Sequence, residues 1–398
     1  MSLISVEKAT AIVLENTLNF GKETVDLKEA NNRILKEAVY ADRDFPPFDR
    51  VSMDGIAIVT DTFKQGQRAF TVENIQAAGS KQLSLINPAN CIEVMTGAIL
   101  PLNTDAVIPY EYVEIENGIA TVTIKQLTYF KNIHPKGFDH QNGTLLIDEN
   151  TLITPAEIGV LASVGKASVV VAKQPRIAIV ATGDELVDVD KIPVDYQIRK
   201  SNVYTVLGLL NSLRLTAEIF HLKDQQELLR NEISKLLNTF DVLIFSGGVS
   251  KGKFDLLPEV FNQLGVQKVF HRVQQRPGKP FWFGRKNSKL VFAFPGNPVA
   301  TFLNFLKYFK PWYLKSVGLP FNIVNFAILD DDFEFTPNLT YFLQVKVNNS
   351  EGQLIAKPIA GKGSADLVNL LYADGFIELS ASKSVFKKGE VLPYISFR

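Results

Sequence analysis

The chain has 398 residues, 46 % hydrophobic and 21 % charged, and its 42 lysines and arginines are balanced by 42 aspartates and glutamates. Such a length suits about two to four domains, and the composition excludes a disordered chain. Zero net charge excludes a nucleic-acid binder with a dominant basic surface, one cysteine excludes an intrachain disulfide framework, and no apolar run reaches the ~18 residues of a membrane helix.

In chain order, residues 1–43 read as helical. "SVEKATAIVLENTL" puts Val6, Ala9, Ile12 and Val13 on one face, and "VDLKEANNRILKEAVYA" repeats the spacing with Leu27, Ala30, Ile34 and Leu35. Glu7 and Lys8 interrupt the apolar start a signal peptide needs, so a cytoplasmic location is expected. Residues 44–139 change character: "AFTVENI", "NCIEVMTG" and "DAVIPYEYVEIENGIATVTI" are rich in β-branched residues, and Asn117-Gly118 marks a turn, so a β-rich inserted domain is predicted. Cys91 lies in one of these strands and reads as a buried structural thiol. Residues 140–173 return to the first section to form a helical/linker domain with it. Thr154, Pro155 and Glu157 compose a capping box with proline at the first helical position, and Gly165 suits the helix end.

Residues 174–318 alternate buried strands ("RIAIVATG", "TAEIFHL", "DVLIFSGG", "KLVFAFPG") with amphipathic helices, which predicts a doubly wound α/β domain with ligands at the carboxyl ends of its strands. Residues 319–398 hold short strands expected to form a small barrel or sandwich. The fold class is thus multidomain α/β plus β.

Polar signals cluster just past the strand ends: Asp184 and Glu185, then Gly247, Gly248, Ser250 and Asp255, then Pro295, Gly296, Asn297 and Pro298. Glycines lacking Cβ let backbone N–H groups approach a phosphate, although a plain tight turn explains a double glycine equally well. Neither a Walker A nor a dinucleotide fingerprint is present. "RPGKP" carries Arg276 and Lys279 on a stiff turn suited to an oxyanion. Asp224, with Glu227, reads first as a helix cap, and Asn297 followed by Pro298 has the same reading. His134, His140, His221 and His271 lack zinc spacing, and no serine sits in a nucleophile elbow. Carboxylates grouped on a phosphate suit Mg²⁺.

Together these motifs resemble the molybdopterin molybdenumtransferase family, of the MoeA and gephyrin E-domain type, over almost the whole chain. "PPFDRVSMDGIAI" resembles the family's signature loop with Asp54 on its acidic residue. "VMTGAILPLNTDAVIPYE" resembles the next motif, with Thr96, Gly97, Asp105 and Glu111. "KGFDHQNG" places Asp139 on a functional aspartate. "ATGDEL", "SGGVSKGKFD", "RPGKP" and "FPGNPVA" follow in order, and "GKGSADL" puts Ser364 on a C-terminal serine. His134, Phe138, Lys200, Gln225 and Arg276 depart from the usual residues, which are Arg, Glu, Asp, Asp and Lys.

The resemblance implies a MogA/MoaB-like central domain and insertion of molybdate into adenylylated molybdopterin, with release of AMP and help from Mg²⁺. It implies a homodimer whose active site lies between the α/β domain of one subunit and the signature-loop domain of the other, with transient contacts to other molybdenum cofactor enzymes. It assigns catalysis to Asp54, Thr96, Asp139, Glu185, Asp255 and Lys279, and Mg²⁺ to Glu185, Asp224 and Asp255. Substrate binding would fall to Asp184, Ser201, Asn202, Gly247, Gly248, Ser250, Arg276, Pro295, Gly296, Asn297, Pro298 and Ser364. Two further readings stay open: an impaired paralogue acting as a pterin-binding scaffold, and a molybdopterin adenylyltransferase.

Overall fold

The computed structural model describes residues 3–249, 256–319, 324–359, 361 and 363–398. At its centre lies a six-stranded sheet. Ala217–Leu222, Ile177–Thr182, Val242–Ser246 and Lys289–Phe294 lie side by side in parallel, and Trp282–Lys286 and then Gln267–His271 extend the sheet antiparallel. The parallel strands are apolar without alternation because both of their faces are covered. Ile177, Ile179 and Ala181 pack with Val203, Val206 and Leu210 of the Ser201–Ser212 helix, while Ala178 and Val180 pack on the other face with Leu229 and Ile233 of the Gln226–Thr239 helix. This is the doubly wound arrangement expected.

Ser5 caps the Val6–Glu15 helix, accepting the Lys8 N–H at 3.2 Å, and Val6, Ala9 and Val13 bury against the first face of the central sheet. The second helix expected after it does not form. Lys22–Asp26 is a strand and Leu27–Glu29 a single 3₁₀ turn. The strand pairs antiparallel with Ser168–Ala172, and Val39–Tyr40 pairs with Leu145–Ile147, so the chain does return across a long insertion. Ala30, Leu35 and Val39 then bury against Ile153, Leu161 and Val171. The helix Pro155–Ser163 opens with the expected capping box, Glu157 accepting the Thr154 N–H at 2.8 Å, and Gly165 follows its end at φ +73°.

Between these returns lies a six-stranded sheet whose central strands, Gly55–Ile58 and Cys91–Val94, bury both faces in separate apolar cores. In the C-terminal region, Thr340–Ser350, Gln353–Pro358, Asn325–Leu329, Val391–Ser396 and Gly375–Leu379 follow one another, and the last pairs back to the first, so the sheet closes as a barrel. Gln275–Arg276 adds to it in parallel with Thr340–Tyr341, tying the "RPGKP" loop to the barrel. Among the described residues no helix is long and apolar enough to cross a membrane.

Candidate functional site

The chain leaves the Ile177–Thr182 strand toward one edge of the central sheet, and it later crosses to Val242–Ser246 on the strand's other side. At that switch point the loops diverge and leave a crevice at the strands' carboxyl ends. There the structure has a cavity of about 570 Å³. It is lined by Thr182, Gly183 and Glu185 after the first strand, Lys200, Ser201 and Asn202 at the next helix, Asp224, then Gly247 and Gly248, then Gly296, Asn297 and Pro298. Nine residues singled out from sequence thus meet at one site.

Close packing explains the glycines. A Cβ on Gly247 would sit 2.9 Å from the Thr182 carbonyl oxygen, and one on Gly248, at φ +69°, would sit 2.9 Å from the Thr182 hydroxyl and 2.8 Å from Leu257. Asn202 fastens the helix start to both neighbouring loops, its Nδ2 donating to Ser246 Oγ at 2.9 Å and to the Gly296 carbonyl at 2.7 Å. Asp184 is exposed and accepts the Asp224 N–H at 3.4 Å. The Pro295 carbonyl accepts the Thr301 hydroxyl at 2.7 Å.

Two corrections concern caps. Gln225, not Asp224, occupies the cap position of the Gln226–Thr239 helix, with no side-chain cap bond, so the expected capping box is absent. Asn297 does cap the Pro298–Asn304 helix by position, but its side chain makes no cap bond. Its Nδ2 donates instead to Ser364 Oγ at 2.7 Å, and Val299 N–H donates to the Ser364 carbonyl at 3.2 Å. Ser364 therefore ties the rim of the cavity to the barrel side.

Ser364 also lines a second, small cavity of about 60 Å³ with Arg276, Tyr341 and Gln344. The Arg276 guanidinium lies 5.8 Å from the ring centres of Phe335 and Tyr341. Beneath this turn Gln275, fully buried, donates to the Pro277 carbonyl at 2.9 Å and to Asn304 Oδ1 at 2.8 Å, and accepts from the Tyr308 hydroxyl. Lys279 is exposed and lines neither cavity.

Asp54, Thr96 and Asp139 lie elsewhere, in one corner of the inserted β region. Arg50–Val51 pairs with Ile133–His134, Gly97 N–H donates to the Val51 carbonyl at 2.9 Å, and Asp139 N–H donates to the Phe45 carbonyl at 2.9 Å. Asp54 accepts both the Thr96 hydroxyl and the Thr96 N–H at 2.6 Å, which holds its carboxylate below the usual range. Asp139 meets His134 Nε2 at 2.8 Å. Asp105 is structural, accepting the Thr60 N–H at 2.6 Å. Gly55, after Asp54, begins a strand, and a Cβ there would lie 1.9 Å from the Ile108 carbonyl oxygen. None of Asp54, Thr96 and Asp139 lines the cavity at the switch point of the same chain.

Ser250 and Asp255 lie outside the described residues. Glu185 and Asp224 bring two carboxylates to one cavity, a hard-oxygen set that suits Mg²⁺ sharing substrate phosphates. Among the described residues no group of three or more His, Cys, Asp or Glu is placed to hold a metal. Sequence reasoning missed Thr182, whose buried hydroxyl has no hydrogen-bond partner among the described residues, and treated Lys200 only as a departure. Both sit at the carboxyl end of a strand or the start of a helix, and that position was the available signal.

Comparison with known proteins agrees with this architecture. Residues 4–165 match "MoeA N-terminal region (domain I and II)", residues 178–315 "Probable molybdopterin binding domain", and residues 327–397 "MoeA C-terminal region (domain IV)". The molybdopterin molybdenumtransferase of Synechocystis is 38 % identical over 400 residues, 99 % of this chain and 100 % of that protein. The Bacillus subtilis protein of the same name is 30 % identical over 99 % of this chain and 94 % of its own. The crystal structure of the molybdopterin biosynthesis MoeA protein from Pyrococcus horikoshii OT3 superposes with a TM-score of 0.84 at 26 % identity, covering 100 % of both chains.

Proposed function

Because the chain belongs to the MoeA family of molybdopterin molybdenumtransferases over its whole length, we propose how its own residues carry that family's reaction. The protein transfers molybdenum from molybdate to adenylylated molybdopterin and releases AMP. The observation that carries the reading is the cavity at the switch point, where glycine backbone, an uncapped helix start and two carboxylates converge. The adenylyltransferase reading would leave the inserted β region and the barrel without a task.

In the proposed arrangement Gly247, Gly248, Ser250, Ser201 and Asn202 hold the phosphates of the substrate through N–H and hydroxyl donors. Pro295, Gly296, Asn297, Pro298, Ser364 and Asp184 shape the rim that orients the pterin nucleotide. Glu185 and Asp255 orient the water that attacks the phosphoanhydride; one P–O bond forms, one breaks, and AMP leaves. Glu185, Asp224 and Asp255 would hold Mg²⁺, which when bound offsets charge on the phosphate oxygens. Arg276 and Lys279 offset the charge of molybdate or phosphate. Asp54, Thr96 and Asp139 reach the cavity from a second copy of the chain, so the working form is a homodimer in the cytoplasm, with transient contacts to enzymes that receive the cofactor. An Asp54→Asn, Glu185→Gln double variant is expected to lose AMP release by roughly 10²-fold or more; full activity in it would remove these roles.

A further inference from the structure

Lys200 is the last residue before the Ser201–Ser212 helix and stands in the helix's cap position, where no side chain caps the first turn. Its side chain is 8 % exposed and it lines the main cavity. The ammonium pairs with Asp188, whose own side chain is 59 % exposed. A short ladder brings the two together: Leu186–Val187 pairs with Ile198–Arg199, and Lys200 N–H donates to the Val187 carbonyl at 3.0 Å. Among the described residues a second cation lines the cavity wall, Arg199, which is exposed and whose Nε donates to the Lys191 carbonyl at 3.0 Å. Thr182, 4 % exposed, lines the same cavity, and its hydroxyl has no hydrogen-bond partner among the described residues.

A buried ammonium beside the first turn of a twelve-residue helix that has no side-chain cap bond, both on the wall of one cavity, makes an anion site. We propose that Lys200 is a fixed cation of the cavity and binds a phosphate of the substrate, with Asp188 holding the ammonium in place until an anion competes for it. The proposal rests on the cavity's assignment as the substrate site. Lysine suits the task as a compact point charge on a flexible stem, and an exposed carboxylate is a partner that a multiply charged phosphate outcompetes.

Titration calorimetry with inorganic pyrophosphate and, separately, AMP on the full chain in EDTA at low salt tests this. Lys200→Met is expected to weaken pyrophosphate binding by about 10-fold or more, and Lys200→Arg to stay within a few-fold of the native chain. Asp188→Asn, which frees the ammonium, is expected to tighten binding several-fold. If Lys200 only pins the ladder, Lys200→Met and Asp188→Asn both loosen it and shift binding the same way; that result overturns the proposal, as does unchanged binding in Lys200→Met or no binding by the native chain. Circular dichroism of each variant guards against misfolding, and Asp188→Asn alone decides if Lys200→Met does not fold. AMP release, assayed in parallel, separates the two claims: turnover with no effect of Lys200→Met defeats only this inference, and Lys200-dependent binding without turnover defeats only the reaction.

Discussion

Gly55 shows how a single residue is chosen by packing rather than by turn chemistry. Its strand lies so close to Ile108 that any Cβ would collide with backbone. Gly55→Ala is expected to destabilise the inserted β region by about 3 kcal/mol, read as a lower unfolding midpoint. Cys91 behaves as the sequence suggested: it is fully buried, and burial, with Glu93 and Glu73 nearby, pushes its thiol up to about 12. A thiol reagent at pH 8 is therefore expected to leave the native chain unlabelled and to label one thiol per chain once it is unfolded; rapid native labelling would contradict the placement. Asp241 carries a pH prediction. Burial opposes its ionisation, but the Arg176 N–H and the Lys289 ammonium, at 2.9 Å each, override that and lower its pKa. A carboxylate with a depressed folded-state pKa contributes stability above its unfolded pKa of about 3.9, which is lost as pH falls through the folded value. Asp241→Asn is expected to flatten the acid limb of the stability profile below about pH 4. Residues with a chemical signature beside a strand end were legible in the sequence. Thr182 was not, because a threonine closing an apolar strand looks like any other until the structure shows its hydroxyl without a partner.

At the scale of elements, locally encoded features were readable and distant pairings were not. The Thr154–Glu157 box is written in four consecutive residues and forms as expected. Thr154→Ala is expected to cost about 1 kcal/mol, seen as faster amide exchange confined to Pro155–Ser163. The segment after Val25 misled because Leu27, Ala30, Ile34 and Leu35 carry helical spacing. The burial of Leu27, Ala30 and Leu35 is decided instead by Ile153, Leu161 and Val171, more than a hundred residues later, and Ile34 joins the core of the central sheet. The strands Gln267–His271 and Trp282–Lys286 escaped notice for a related reason: they continue the central sheet antiparallel and lack the strand–helix alternation that marks the rest. The "RPGKP" turn gains its rigidity from Gln275, Asn304 and Tyr308 below it, partners no local pattern reveals.

For the whole molecule, the separation of Asp54, Thr96 and Asp139 from the main cavity of their own chain is the central geometric fact. The proposed function has a second copy complete the site, and mixing tests this. Asp54→Asn and Glu185→Gln chains, each inactive alone, are expected to recover about a quarter of native activity after mixed refolding, because half the random dimers are mixed and one of their two sites is intact. No recovery would place both residues in one chain's site. The doubly wound sheet, the inserted β region and the C-terminal β region were legible from composition and periodicity. The small C-terminal barrel was expected as well, and it closes where Gly375–Leu379 returns to Thr340–Ser350, a pairing no local pattern specifies.

The most direct test of the account is AMP release from adenylylated molybdopterin by the purified full chain with Mg²⁺, with and without molybdate. The account predicts release that depends on molybdate and is accompanied by active molybdenum cofactor. Tight retention of the pterin nucleotide with no release under either condition would contradict it and identify a binding protein on the same fold.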